Sequence, residues 1–389
     1  MVRRAVLFGS VMLGLFVLFE AGLRLKGGSE AAPAFQRLFM QDPRIGFRLK
    51  PGEATVYRTP EFETEIRINH AGVRGEEFGP KDPDERRIVV LGDSLVFAVQ
   101  VPLAETFCKR LEVLLNADPA RGPFHYRVIN AGVQGYGPVQ EALFYEHVAA
   151  SFDADVVLVG LYVANDAIEA ADQAYRLAGG GAVPASAGTA GSRADRPALS
   201  ETTIQWARRW ARRSMVLQIL RLRVVTLAER LGKARGIERA LTSYLPETTE
   251  EVSRGLLVTR EAVSRIGAVA EPRGARVGVL LLPARFQLDD TDFGHLREAA
   301  AAAGHTLVRD GASARFREAM AGLPVPVLDL LERFREDADP ASLYFEKTAH
   351  FTPRGHEVVA RAVKQFLDES RLLDRTSPPA TAATSGEGR

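Results

Sequence analysis

Cysteine is all but missing: Cys108 is the only one in 389 residues. That excludes an intrachain disulfide and any metal site built on cysteine pairs. An excess of charge of one sign is missing too, since 50 Lys and Arg face 49 Asp and Glu for a net charge of +1. Such a balance gives no reason to expect a nucleic acid as partner. Internal repeats are absent, and the one long apolar run lies at the N-terminus. What is present is ordinary: 46% hydrophobic and 25% charged residues, enough for one large domain or two modest ones.

At the N-terminus Arg3 and Arg4 precede an apolar stretch from Ala5 to Phe19, followed by Glu20 and then Arg24 and Lys26. Counted to Leu23, the stretch is just long enough to cross a bilayer. A cleaved signal peptide needs small residues directly after the apolar run, and Phe19 and Glu20 stand there instead. The expectation is a single-pass membrane anchor over residues 1–26, with a cleaved signal as the alternative. The short arginine-bearing tail faces the cytoplasm, and the bulk of the chain is extracytoplasmic, in the periplasm.

Residues 27–84 are rich in turn formers and include the alternating stretch "EFETEIRINHAGVRG". This reads as a small β cap with a hairpin turning near Asn69 to Gly75. From residue 85 to 372, short apolar runs alternate with helical periodicity. "RRIVVLGDS", "YRVINAG", "ADVVLVGLYVAND", "ARVGVLLLPA" and "VPVLDL" read as strands, separated by amphipathic stretches. Continuous apolar strands alternating with helices predict a central parallel sheet covered on both faces, a three-layer α/β/α fold. A basic stretch, "WARRWARRSMVLQILRLRVV", sits in a helical insertion over residues 170–250. It reads as a solvated amphipathic face, with contact to anionic lipid or an acidic polymer as the sharper readings. Residues 373–389 read as a disordered tail.

In such sheets ligands bind beyond the carboxyl ends of the strands. Ser94, the turn from Asn130 to Gly137, and Asn165 all fall there. Taken singly, each has a plain structural explanation. Asp93 caps a loop, the glycines make a turn, and Asn165 is a turn residue. His356 falls inside the last amphipathic helix, where packing explains it, whereas His350 lies just ahead of that helix.

Four motifs in order change the weighing. "VVLGDSL", "VINAGVQGYG", "GLYVANDA" and "HFTPRGH" together resemble the blocks of the SGNH, or GDSL-type, hydrolases. "INHAGVRG" and the N-terminal run resemble a membrane-anchored bacterial branch of that family. The resemblance implies a flavodoxin-like sheet and a catalytic Ser94 and His350. It also implies an oxyanion hole of the Ser94 amide, Gly135 and Asn165, with no metal or organic cofactor. The chemistry agrees. A serine hydroxyl needs a base to take its proton, histidine titrates near neutrality, and a tetrahedral oxyanion needs fixed donors.

One departure stands out. The family carries an aspartate two or three residues before the histidine, and here those positions are Thr348 and Lys347. Glu346, Thr348 and Asp93 are the residues left to support His350, or else a backbone carbonyl does so. The expected function is a membrane-anchored esterase acting through an acyl-enzyme on O-acyl esters, O-acetyl among them, of glycans or envelope components. The partners are then an acylated small molecule or glycan and the membrane itself. Two rivals are an O-acyltransferase using the same site and a weakly catalytic glycan-binding scaffold.

Overall fold

The computed structural model describes residues 35–177, 239 and 241–374. The expected anchor, most of the basic insertion and nearly all of the tail lie outside them. Among the described residues no helix is long and apolar enough to cross a membrane.

Five strands form one parallel sheet: β5 (Glu85–Gly92), β6 (His125–Gly132), β7 (Val156–Tyr162), β8 (Arg276–Leu282) and β9 (Val327–Asp329). Their spatial order is β6-β5-β7-β8-β9, and each neighbouring pair is parallel. Side chains alternate between the faces along each strand. Val89, Leu91, Val157 and Val159 enter one apolar cluster, while Ile88, Val90, Val156 and Leu158 enter the other. On the first face lie helices α3 (Pro138–His147) and α5 (Glu250–Ala270), which add Leu143, Phe144, Val263 and Ile266. On the second lie α2 (Phe107–Asn116) and α9 (Pro353–Glu369), which add Phe107, Leu111, Val359 and Val363. The three-layer α/β/α architecture expected from the sequence is therefore the one observed.

The N-terminal segment keeps the expected turn and adds a second hairpin turn ahead of it. It holds two antiparallel pairs, β1 (Phe39–Asp42) with β2 (Gly46–Leu49), and β3 (Ala54–Arg58) with β4 (Glu63–Arg67). The β3–β4 turn falls at Thr59–Phe62, and the turn expected at Asn69–Gly75 follows it, flanked by the antiparallel bridge between Ile68 and Arg74. Thr59 closes the first, its hydroxyl accepting from the Glu61 and Phe62 amides at 3.2 and 3.1 Å. Pro60 cannot donate to a ladder, so a turn there costs nothing in strand pairing. The segment has no core of its own. Leu38, Leu49, Ile66 and Val73 are buried in the cluster of the first sheet face.

Candidate active site

Strand order reverses at β5, since β6 lies to one side and β7 to the other. The crevice at such a switch point, past the strand carboxyl ends, is where open α/β sheets bind ligands. Ser94 follows β5 at that point, and Asn165 follows β7.

Ser94 opens a single helical turn, α1 (Ser94–Phe97). The Asp93 carboxylate caps it by accepting from the Leu95 amide at 2.8 Å. The turn lies flat on the sheet because three neighbouring strands present glycine at one level. Gly92 is paired with Gly132 on one side and with Gly160 on the other. A Cβ at Gly92 would stand 2.2 Å from Val96 Cγ2, and one at Gly132 would stand 2.5 Å from the Phe97 amide nitrogen. Any side chain in that row would lift Ser94 off the sheet.

The far end of α1 is held from the N-terminal segment. Arg74 is buried at 2% exposure, and its guanidinium donates to the carbonyls of Phe97 at 2.8 Å, of Ala98, and of Val101 at 2.7 Å. A helix end and a left-handed Ala98 (φ 56°) leave the Phe97 and Val101 carbonyls to this guanidinium, while the Ala98 carbonyl also accepts from the Val101 amide at 3.3 Å. Burial lowers the Arg74 pKa to about 10, so the group stays charged at neutral pH.

His350 Nε2 lies 2.8 Å from Ser94 Oγ. Its Nδ1 lies 2.6 Å from the Thr348 main-chain carbonyl oxygen. A carbonyl can only accept, so the proton sits on Nδ1 and leaves Nε2 free to accept from the serine hydroxyl. Burial pushes the His350 pKa below its ordinary value, and the Thr348 carbonyl opposes that shift. The neutral imidazole needed in a base is thus the favoured form.

Of the three side chains weighed for orienting His350, none does so directly. Glu346 is exposed, and only its main-chain carbonyl is engaged, by Arg285. Thr348 contributes its carbonyl and not its hydroxyl, which is buried without a partner. Asp93 is committed to the cap of α1. The backbone carbonyl alternative is the one realised. The loop is shaped for it by Ala349, whose φ of 52° is left-handed, and by the Phe345 amide donating to the His350 carbonyl at 2.7 Å. Residues with a Cβ are strained there, and β-branched ones more so. Ala349→Gly should therefore leave the Thr348 carbonyl on Nδ1, and turnover at Ser94 near wild type. Ala349→Val should lower kcat by roughly tenfold or more by moving the Thr348 carbonyl off Nδ1. Equal kcat for alanine and valine at this position would show that the turn does not set the histidine.

Asn165 is half-buried at the mouth of β7, and its Nδ2 donates to Glu169 Oε1 at 2.7 Å. Gly135 is exposed with φ 78°, and a Cβ there would meet nothing, so conformation and not space calls for glycine. His356 is apart from this group, as the sequence pattern indicates. It is buried, stacked near Phe107, and accepts from the Phe107 amide at 3.2 Å. Burial and nearby cations lower its pKa to about 3, which keeps it neutral.

Beneath the site lie acids that sequence reasoning did not weigh as a group. Glu141 and Asp166 are buried, and burial raises their pKa values well above those of free carboxyls. Burial also raises Asp93 to about 6 and Glu169 to about 7. Each is raised further by at least one of the others, except that Asp93 owes its shift to burial alone. Among the described residues no group of His, Cys, Asp and Glu is arranged to hold a metal ion.

No family model matches the chain, and no curated protein matches it. Solved structures similar to it include a lipase/acylhydrolase from Enterococcus faecalis, with 12% identity, a TM-score of 0.39, and coverage of 73% of this chain and 96% of that one. An acetylxylan esterase from Geobacillus stearothermophilus has 13% identity and a TM-score of 0.38, covering 73% and 93%. A GDSL-like lipase from Bacteroides thetaiotaomicron has 10% identity and a TM-score of 0.36, covering 75% and 93%.

Proposed function

We propose that this chain is a serine ester hydrolase of the SGNH type that works through an acyl-enzyme. The observation that carries the reading is the 2.8 Å contact between Ser94 Oγ and His350 Nε2 at the switch point of a parallel sheet. Ser94 Oγ attacks the ester carbonyl carbon while its proton passes to Nε2, and the carbonyl electron pair moves to oxygen. Collapse of that intermediate expels the alcohol, which takes the proton from Nε2, and leaves the acyl group on Ser94. Water then attacks the acyl carbon with Nε2 again as base, releasing the acid and restoring the hydroxyl.

The Ser94 and Gly135 amides and the Asn165 side chain are the donors assigned to the oxyanion. Each such donor is worth about 10²–10³ in kcat. The imidazolium formed at His350 is met by the dipole of the Thr348 carbonyl and not by a full negative charge. That holds the correct tautomer but stabilises the charged ring less than an aspartate does. The substrate we propose is an O-acyl ester of a glycan or envelope component, on a membrane-anchored protein facing the periplasm. The support for this placement is the N-terminal sequence pattern.

A fluorophosphonate probe tests the nucleophile. It should form one adduct on the peptide that contains Ser94, and His350→Ala should slow labelling by roughly 10²-fold or more. A protein that hydrolyses p-nitrophenyl acetate yet labels elsewhere would refute the assignment. A folded protein that neither labels nor hydrolyses would favour the binding or scaffold reading.

A further inference from the structure

Asn165 can serve as an oxyanion donor only if its amide is held with nitrogen, not oxygen, toward the reacting atoms. A free asparagine side chain has no such preference. Here the amide is held from below by Glu169, one helical turn on in α4 (Asp166–Leu177), through the 2.7 Å contact between Nδ2 and Oε1. One hydrogen of Nδ2 is spent on Glu169, and the second is left for an oxyanion. The same carboxyl packs under the glycine turn. A Cβ built on Gly137 would lie 3.0 Å from both Glu169 Cβ and Oε2. A single side chain therefore supports both arms of the assigned oxyanion hole, Asn165 from β7 and the Gly135–Gly137 turn from β6.

We propose that Glu169 is a positioning residue of this site, holding the Asn165 amide as a donor while its own carboxyl is neutral. The inference rests on the esterase reading given above.

The neutral form follows from the surroundings. The charges that act on Glu169 are those of Asp93, at the end of β5, and Asp172 on its own helix, and both are negative. Its own charge in turn raises Glu141 on α3 and Asp166 on α4. Gln140 on α3 and Gln173 on α4 are uncharged and bond to each other at 3.0 Å. From α5, which packs on α4 where Gly255 meets Ala167, the cation Arg265 is directed to Glu146 instead. With its Oε2 buried and unpartnered, Glu169 keeps its proton up to about pH 7. Once ionised, it places a negative charge next to the amide that must receive a developing oxyanion. That repulsion is strong where water is excluded.

The consequence is a kcat profile with two limbs. Activity rises as His350 loses its proton, below the ordinary histidine range, and falls as Glu169 ionises. The fall approaches tenfold per pH unit, about as steep as a single ionisation allows. The test is kcat and KM for p-nitrophenyl acetate from pH 5 to 9, on the full chain and its variants. Glu169→Ala should lower kcat by roughly tenfold at pH 6, with KM little changed, and should lose the alkaline fall. Glu169→Gln keeps an acceptor for Nδ2 but cannot ionise. It should restore at pH 6 what alanine loses, and the alkaline fall should vanish.

An alkaline limb unchanged in Glu169→Gln, or wild-type kcat in Glu169→Ala, would overturn the proposal. A second comparison holds if either variant folds poorly. In Asn165→Ala the alkaline limb should already be lost, and an alkaline limb that persists there would also overturn it. Fluorophosphonate labelling at Ser94 separates the two levels of inference. If Ser94 does not label, the esterase reading itself falls. If it labels and the Glu169 effects are absent, only the positioning role falls.

Discussion

Ser94→Ala is expected to reduce kcat for a simple acetyl ester by roughly 10³-fold or more while the protein stays folded. The magnitude follows from how such sites divide their work. In a complete serine triad, loss of the serine costs about 10⁶ in kcat and loss of the orienting acid alone about 10⁴. This site has no acid on His350, so part of that 10⁶ is absent from the start. What remains is more than an acid-free triad with a misplaced proton would keep, because the Thr348 carbonyl at 2.6 Å still fixes the proton on Nδ1. Alanine removes only a half-buried hydroxyl that meets His350 Nε2 and the Asp93 carboxyl. Melting should therefore shift little. Steady-state hydrolysis, with the fluorophosphonate adduct as a second readout, decides the matter: kcat within about threefold of wild type would remove Ser94 from the mechanism.

Arg74→Met is expected to have the largest effect on stability of any substitution near the site. The guanidinium is buried and donates to three carbonyls, Phe97, Ala98 and Val101. Methionine fills a similar volume but leaves the Phe97 and Val101 oxygens without the guanidinium, while the Ala98 oxygen keeps only the Val101 amide. A buried acceptor left unsatisfied costs about 1–3 kcal/mol, so the two oxygens together cost about 2–6 kcal/mol. For a domain of this size that corresponds to a fall in Tm of roughly 10 °C. The effect should reach kcat as well, since the oxygens belong to the end of the turn that begins at Ser94. Arg74→Lys should fall between the two, because a single ammonium cannot span three carbonyls as a fork does. A Tm for Arg74→Met within about 1 °C of wild type would mean that the three contacts contribute nothing net to folding.

A milder effect follows from the buried acids. A carboxyl whose folded-state pKa is raised stabilises the protein fully below its unfolded pKa and loses that contribution as pH rises through the folded value. For Asp93 and Glu169 the losses run upward to about pH 6 and 7. Glu141, with both side-chain oxygens buried and unpartnered, is the acid whose replacement by glutamine should most improve stability at alkaline pH. Thermal melting at pH 6 and pH 9 would show it, and an equal change at both would mean that Glu141 does not titrate on unfolding.

The sequence by itself determined what depends on local pattern. Apolar runs such as Val89–Leu91 and Val156–Val159 can only be doubly covered strands, so the parallel sheet and its two helical layers were legible. Ser94, Asn165 and His350 were legible as residues of the right chemistry at strand ends and before the last helix. His356 was legible as packing because it falls on the apolar face of that helix.

Only the tertiary structure decided the rest, because it depends on groups that chain order does not bring together. Which atom orients His350 is a matter of a left-handed Ala349 turning a carbonyl inward, and no side-chain letter records it. Arg74 reads as one arginine in a turn until the fold sets it against carbonyls 23 to 27 residues away. Gly92, Gly132 and Gly160 are unremarkable in three separate strands, and become a seat for Ser94 only when the register aligns them. Glu169 sits four residues after Asn165, a spacing that a helix turns into contact. Its neutral state comes instead from burial and from the charge of Asp93, which the fold brings from the end of β5 to the side of α4.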